Sequence, residues 1–175
     1  MGVILGAIVR DAGIGYACNS GAREGTPVVV PISDRGYYEQ AHKAITEAKE
    51  SVHIVTYEIK YYKTNPGSLE NRLVRDLVYA RERGVDVRVV ADEYSQDNNA
   101  FETLKAGGVG VRMDSNGTTT HAKLIIVDGK TVLLGSTNLS YSGLEVNNEV
   151  DVLINSQETA RYFEAYFRNM WEKGG

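Results

Sequence analysis

The chain has 175 residues, and its 19 Lys and Arg against 23 Asp and Glu leave a net charge of −4. Hydrophobic residues at 42% and charged residues at 24% exclude a disordered or collagen-like chain and suit one globular domain. A single cysteine, Cys18, excludes an internal disulfide and a cysteine-built zinc site, and no apolar run reaches the roughly 18 residues that cross a bilayer.

Residues 1–25 read as an N-terminal extension. Glycines crowd it and no strand or helix period is sustained. The apolar stretch Val3 to Val9 is short, lacks a basic start and runs into Arg10 and Asp11, which makes a poor secretion signal. A cytoplasmic protein with no stable membrane insertion is expected. Residues 26–175 then form one regular domain. Val28 to Ile32 is a short apolar run, and Ser33 or Asp34 caps a helix from about Tyr37 to Lys49. Its residues Ala41, Ala44, Ile45 and Ala48 make one buried stripe. Val52 to Ile59 reads as a strand. Asn65-Pro66-Gly67-Ser68 is a turn, and a helix from Ser68 to about Arg83 turns Leu69, Leu73, Leu77 and Ala80 inward before Gly84 ends it. Val85 to Ala91 is a strand, Ala100 to Lys105 a short helix, and Val109 to Met113 a strand again.

After that the alternation of strand and helix stops. His121 to Val127 and Thr131 to Leu134 are apolar strands joined through Asp128-Gly129-Lys130, the pattern of a hairpin. Glu149 to Ile154 is the last strand. A helix capped by Ser156 carries Phe163, Tyr166, Phe167, Met170 and Trp171 at helical spacing, a stripe that belongs to the core. The fold class is α/β: a mixed, mostly parallel central sheet flanked by helices on both faces.

Of the three histidines, His42 lies mid-helix and His53 opens a strand without patterned polar neighbours, so both read as structural. His121 differs. In an extended strand it shares a face with Lys123, while Leu124 and Ile126 point to the other. Past the hairpin, Ser136 and Asn138 again share a face, and Glu149 returns close by in sequence. An imidazole, an ammonium, an amide and a hydroxyl suit a tetrahedral phosphate. Lys123 and Asn138 bind its outer oxygens and His121 attacks or protonates. A carboxylate such as Glu149 on the second imidazole nitrogen orients the ring.

Lys at +2 and Asp at +7 after one of three histidines arise by chance in roughly one chain in a hundred, and adding the later Gly-Ser-x-Asn lowers this to about a few in a million. The bland reading, a surface lysine beside a strand-edge histidine, is therefore set aside. The pattern H-x-K-x4-D-x6-G-S-x-N resembles the signature of the phospholipase D superfamily, with the likeness extending from about residue 26 to 172. The resemblance implies a phosphodiesterase working through a covalent phosphohistidine, with no metal and no cofactor. It makes His121 the nucleophile, Lys123 and Asn138 the phosphate clamp, and Ser136 and Glu149 supporting groups. Gly135 and Asp128 complete the motif. On the strand argument Asp128 faces away from His121 and serves the hairpin. One motif copy is half a site, so the resemblance to the short branch of that family, small bacterial endonucleases and a mitochondrial outer-membrane enzyme, implies a homodimer pairing two His121 residues across a two-fold axis.

A nucleic acid is the expected substrate, with a phospholipid as the alternative. Tyr57, Lys60, Tyr61, Tyr62 and Lys63 end the second strand, where α/β sheets place their sites, and could stack bases and hold phosphates or simply pack the strand. Single strands are favoured because an acidic chain gains little from counterion release along a duplex. No apolar acyl groove is legible in the body, and only residues 1–16 could anchor a lipid reading. Two further readings are weaker: a catalytically silent scaffold, which the complete motif disfavours, and a metal nuclease built on Asp92, Glu93 and Asp97, which read as a solvated acidic loop.

Overall fold

Seven strands form one sheet in the order β1-β7-β6-β5-β2-β3-β4 in the computed structural model, which describes residues 26–95, 99–114 and 117–175. The expected extension 1–25 and Asp97 lie outside the described residues. The strands are β1 Val28–Ser33, β2 Ser51–Thr56, β3 Asp86–Ala91, β4 Gly110–Met113, β5 Lys123–Val127, β6 Thr131–Gly135 and β7 Val150–Asn155. The helices are α1 Gly36–Glu47, α2 Leu69–Glu82, α3 Asn99–Ala106 and α4 Gln157–Lys173.

The sheet is mixed and has helices on both faces, as read from the sequence, but its parallel share is smaller. Only β2-β3 and β3-β4 pair in parallel, whereas β5 and β6 pair antiparallel with each other and with β2 and β7, and β7 with β1. The cause lies in the connections. Parallel neighbours need a helical crossover, and only β1, β2 and β3 are followed by one before the next strand; the three-residue turn after β5 forces reversal, and the longer segment after β6 brings β7 back antiparallel beside it.

Alternation along the strands splits the core in two. Val52, Ile54, Val89, Ile125 and Leu133 face α1 and α2 in the larger cluster, with Leu73, Leu77 and Ala80 of α2 packed inward as their spacing predicts. Val55, Val90, Leu124, Ile126 and Val132 face α4 in the smaller one. There Phe167 is 1% exposed, but Tyr166 is 39% exposed, so the aromatic stripe of α4 is core on one side only. One helix cannot cover a seven-stranded face. His53 is structural as expected but does have polar partners: it stacks on Phe167 and its Nδ1 lies 2.8 Å from Glu164. His42 bonds Asp76 at 2.7 Å.

Caps explain where the helices begin. Ser156 accepts the Thr159 N–H, as expected for α4. Neither Ser33 nor Asp34 caps α1, whose N-cap position is Arg35. Asp34 instead adopts φ 49° and clamps another strand, as described below.

Asp128 sits in the turn between β5 and β6. It takes the left-handed conformation, φ 52°, ahead of Gly129, and its carboxylate accepts the N–H groups of Lys49, Glu50 and Ser51 at 2.7–3.1 Å. It thus ties the β5–β6 turn to the start of β2. Burial raises the carboxyl, but the three donors outweigh it and hold it below the ordinary aspartate range. Asp128→Ala should destabilise the fold by about 2 kcal/mol, a fall in Tm of about 4–8 °C, and Asp128→Asn by less, since an amide oxygen still accepts. Because the folded carboxyl is more acidic than the unfolded one, this stabilisation is present at neutral pH and is lost as acid titrates the folded group. Thermal unfolding at pH 7 and pH 3 checks both statements. Equal loss in the Ala variant at both pH values would contradict the linkage.

Candidate active site

Every residue of the motif except Asp128 gathers at one edge of the sheet, where β2, β3, β4 and β6 end and β5 and β7 begin. β5 starts at Lys123 rather than His121, and the two residues before it run on as an extended arm held by the Tyr57 N–H to the Ala122 carbonyl, 2.8 Å. The imidazole is left exposed and the lysine buried: Lys123 is 8% exposed. Its ammonium lies 3.2 Å from His121 Nδ1, donates to the His121 carbonyl at 3.1 Å and sits 5.1 Å above the Tyr57 ring. Burial holds Lys123 below the ordinary lysine range, with the Glu149 and Glu58 charges opposing that shift.

β6 and β7 supply the rest. Ser136 donates to Glu149 and accepts the Val150 N–H at 3.0 Å. Glu149 also accepts from Asn147 at 3.0 Å. Its backbone is fixed at both ends by Asp34, whose N–H donates to the Glu149 carbonyl and whose carboxylate accepts the Glu149 N–H, each at 2.9 Å. The carboxylate expected on the imidazole therefore bonds Ser136 instead, because β7 returns beside β6 and not beside the His121 arm. Asn138 Oδ1 is buried with no hydrogen-bond partner, an acceptor held at the same edge.

Two glycines are dictated by this geometry. A Cβ at Gly135 would meet the Asp151 carboxylate and stand 2.5 Å from the Val150 carbonyl, so only glycine lets β6 lie this close to β7 ahead of Ser136. A Cβ at Gly143 would strike the Asn138 backbone. Gly143 belongs to a π-type turn, Ser142–Val146, that supports the Asn138 segment and has no counterpart in the sequence reading.

The tyrosine and lysine cluster does not act as a unit. Tyr57 joins the site, 4.7 Å from the His121 ring and stacked on Tyr94 at 5.3 Å. Lys60 pairs with Glu58 at 3.3 Å, and its N–H donates to the Leu139 carbonyl beside Asn138. Tyr61 packs against the main core and is removed from the stacking surface, since the chain turns it inward after β2. Tyr62 stays exposed and lines a hollow with Tyr141, while Lys63 points outward to Glu102 at 3.7 Å. The sequence reading missed Tyr94, Asp34 and the pair Thr137–Asp151, in which Asp151 accepts both the N–H and the hydroxyl of Thr137. Asp151 was signalled: it alternates with Glu149 in an otherwise apolar strand.

An apolar groove of about 370 Å³ also runs past His121 and Lys123, lined by Leu124, Leu134, Tyr162, Phe163 and Tyr166. This corrects the expectation that the body has none; the groove is built where α4 leaves the sheet edge uncovered. Asp92 is likewise no solvated loop residue, being 3% exposed.

The chain belongs to the phospholipase D superfamily: residues 42–171 match the family described as cardiolipin synthase, PLD-like domain. Among solved structures it is similar to Nuc from Salmonella typhimurium, a phospholipase D family member, at TM-score 0.75 and 28% identity over 86% of this chain and 97% of that one. NucT from Helicobacter pylori shares the fold at TM-score 0.69 and 24% identity, covering 85% of this chain and 98% of NucT. A curated relative, the mitochondrial cardiolipin hydrolase of Canis lupus familiaris, is 32% identical over 104 residues, 58% of this chain and 41% of that protein. A Rickettsia prowazekii phospholipase D is 28% identical over 131 residues, 74% of this chain and 58% of the relative. The chain spans about half the length of the cardiolipin hydrolases it matches. No helix among the described residues is long and apolar enough to cross a membrane.

Proposed function

We propose that the protein is a metal-independent phosphodiesterase that cleaves nucleic acid through a covalent phosphohistidine at a site shared by two subunits. The observation that carries this reading is the buried Lys123 ammonium beside an exposed His121 ring. A neutral imidazole nitrogen attacks phosphorus as the P–O bond to the leaving group breaks, and His121 of the partner subunit protonates the departing oxygen. Water then attacks phosphorus, yields its proton to that second imidazole, and the P–N bond breaks. Lys123 and the Asn138 amide hold the non-bridging oxygens, whose charge grows in each transition state. The Glu149–Ser136–Val150 bonds keep the end of β6 rigid beneath Asn138.

Two imidazoles are needed and the chain supplies one, so a two-fold dimer is the assembly expected. Light scattering at micromolar concentration should report about twice 19.2 kDa. A monomer that turns over would contradict the shared site.

Nucleic acid is favoured by the exposed Tyr62 and Tyr141 close to the Asn138 segment, where bases could stack, and by the likeness to Nuc over nearly its whole chain. The groove beneath Tyr162 and Tyr166, together with the cardiolipin hydrolase relatives, favours a phospholipid as the second reading. One panel decides: single- and double-stranded DNA, RNA, phosphatidylcholine and cardiolipin, all in EDTA. Single-stranded nucleic acid should be cut fastest. Cleavage of lipid alone would overturn the nuclease reading.

A further inference from the structure

Beside this site, three carboxylates converge that the phosphoryl chemistry does not use. Asp92 follows β3, Glu93 opens a single 3-10 turn, Glu93–Ser95, and Asp114 follows β4. Because β3 and β4 are parallel neighbours, their ends lie side by side, and one oxygen from each of the three carboxylates falls within 4.8 Å of the others. Two of the three are buried, and Glu93 is half-buried. Asp92 is 3% and Asp114 5% exposed.

Asp92 is partly satisfied: its two oxygens accept the Tyr94 N–H at 2.9 Å and the Thr120 N–H at 2.7 Å, leaving further lone pairs free. Asp114 has no such donors. Both of its oxygens are buried, and among the described residues no N–H or hydroxyl group donates to either; Glu93 Oε2 is in the same position. None of the salt bridges among the described residues involves these three side chains. A buried carboxylate without a donor or a countercharge is strongly disfavoured, and three in contact repel one another besides. Two partners can resolve this: a proton shared between Glu93 and Asp114, or a cation.

We propose that Asp92, Glu93 and Asp114 bind a hard divalent cation, Ca²⁺ in preference to Mg²⁺. All three donors are carboxylate oxygens, the ligand class of these ions rather than of Zn²⁺ or Cu²⁺. The number of protein carboxylates decides between them: Ca²⁺ accepts several in an irregular shell, whereas Mg²⁺ gives up its waters reluctantly and is usually held by one or two. The bound ion would tie the ends of β3 and β4 together. Through the Asp92 bond to Thr120 it would also brace the residue that precedes His121. Its role is positional, and the phosphoryl transfer proposed above proceeds without it.

Binding is measured on wild-type protein stripped by EDTA and exchanged into metal-free buffer, with no substrate present, so the result is independent of any activity. Calorimetry should show one Ca²⁺ per chain, Mg²⁺ binding more weakly, and a Tm that climbs with Ca²⁺ concentration. Glu93→Gln and Asp114→Asn, each of nearly unchanged shape, should weaken Ca²⁺ at least tenfold and abolish the rise in Tm. In EDTA both variants should melt at or above the wild-type temperature, since each removes one of three repelling charges. Absence of Ca²⁺ and Mg²⁺ binding up to about 10 mM, beyond the weakest natural sites, would overturn the proposal in favour of the shared proton. Binding unchanged in the Glu93→Gln protein would overturn it as well, by placing the ion elsewhere.

Discussion

His121→Ala should abolish phosphodiester cleavage, lowering kcat by at least about 10⁴-fold, because removal of a covalent nucleophile leaves only binding and electrostatics behind. The same change should leave Tm within about 2 °C of wild type. His121 is exposed and precedes β5, and a surface substitution of this kind costs no more than about 0.5 kcal/mol. Activity of the wild type should persist in millimolar EDTA. Acid-labile, alkali-stable label from a ³²P-phosphodiester, present in wild type and missing in the Ala variant, would identify the intermediate. A variant that retains turnover, or wild-type activity abolished by EDTA and restored by Mg²⁺, would sink the mechanism.

Lys123→Met should act in opposite directions on catalysis and on stability. In the proposed mechanism, losing the charge that would hold the phosphate should cost about 10²–10³ in kcat, the range found when one preorganised donor is removed from a transition state. The fold should not suffer. Lys123 is buried, and burial depresses its pKa, so the folded chain holds this proton less tightly than the unfolded one. By linkage the charged group weakens the fold at neutral pH, and stability rises with pH once the folded group begins to lose its proton below the ordinary lysine value. Methionine keeps the stem and removes the charge, so Tm should equal or exceed that of the wild type. A large fall in Tm would mean that the Tyr57 ring and the His121 carbonyl hold the ammonium more strongly than burial opposes it. For the wild type, the depressed pKa also moves the alkaline limb of the rate profile below that of an exposed lysine. A pH–rate profile with no alkaline limb other than that of the fold itself would contradict this.

Much of the candidate site was legible because the proposed phosphate clamp constrains residue types at short spacings. His121 and Lys123 are two apart on one extended segment, and Ser136 and Asn138 two apart at the next strand's end, so alternation alone orients each pair. The structural role of Asp128 follows from the same parity and is met by its three backbone donors. The inward residues of α2 and the Ser156 cap are likewise local matters of spacing and donor geometry.

What tertiary structure alone decided are the contacts between segments distant in sequence. The mixed sheet became mainly antiparallel because β7 inserts between β1 and β6, a choice made by packing β1 at the far edge rather than by any residue in β1. That insertion carried Glu149 to Ser136 instead of to the imidazole, and enlisted Asp34 as its clamp from 115 residues away. Tyr57 met His121 while Tyr61, four residues on, turned into the core, a distinction that depends on the path of the chain after β2. Asp92 reads as solvated in the sequence, but the parallel β3–β4 pairing places Asp114 against it and leaves both buried. Periodicity and motif spacing act within a few residues of one another, so the sequence by itself determined which groups are candidates for the chemistry. Which carboxylates and rings surround those groups depends on strand order, a property of the whole sheet.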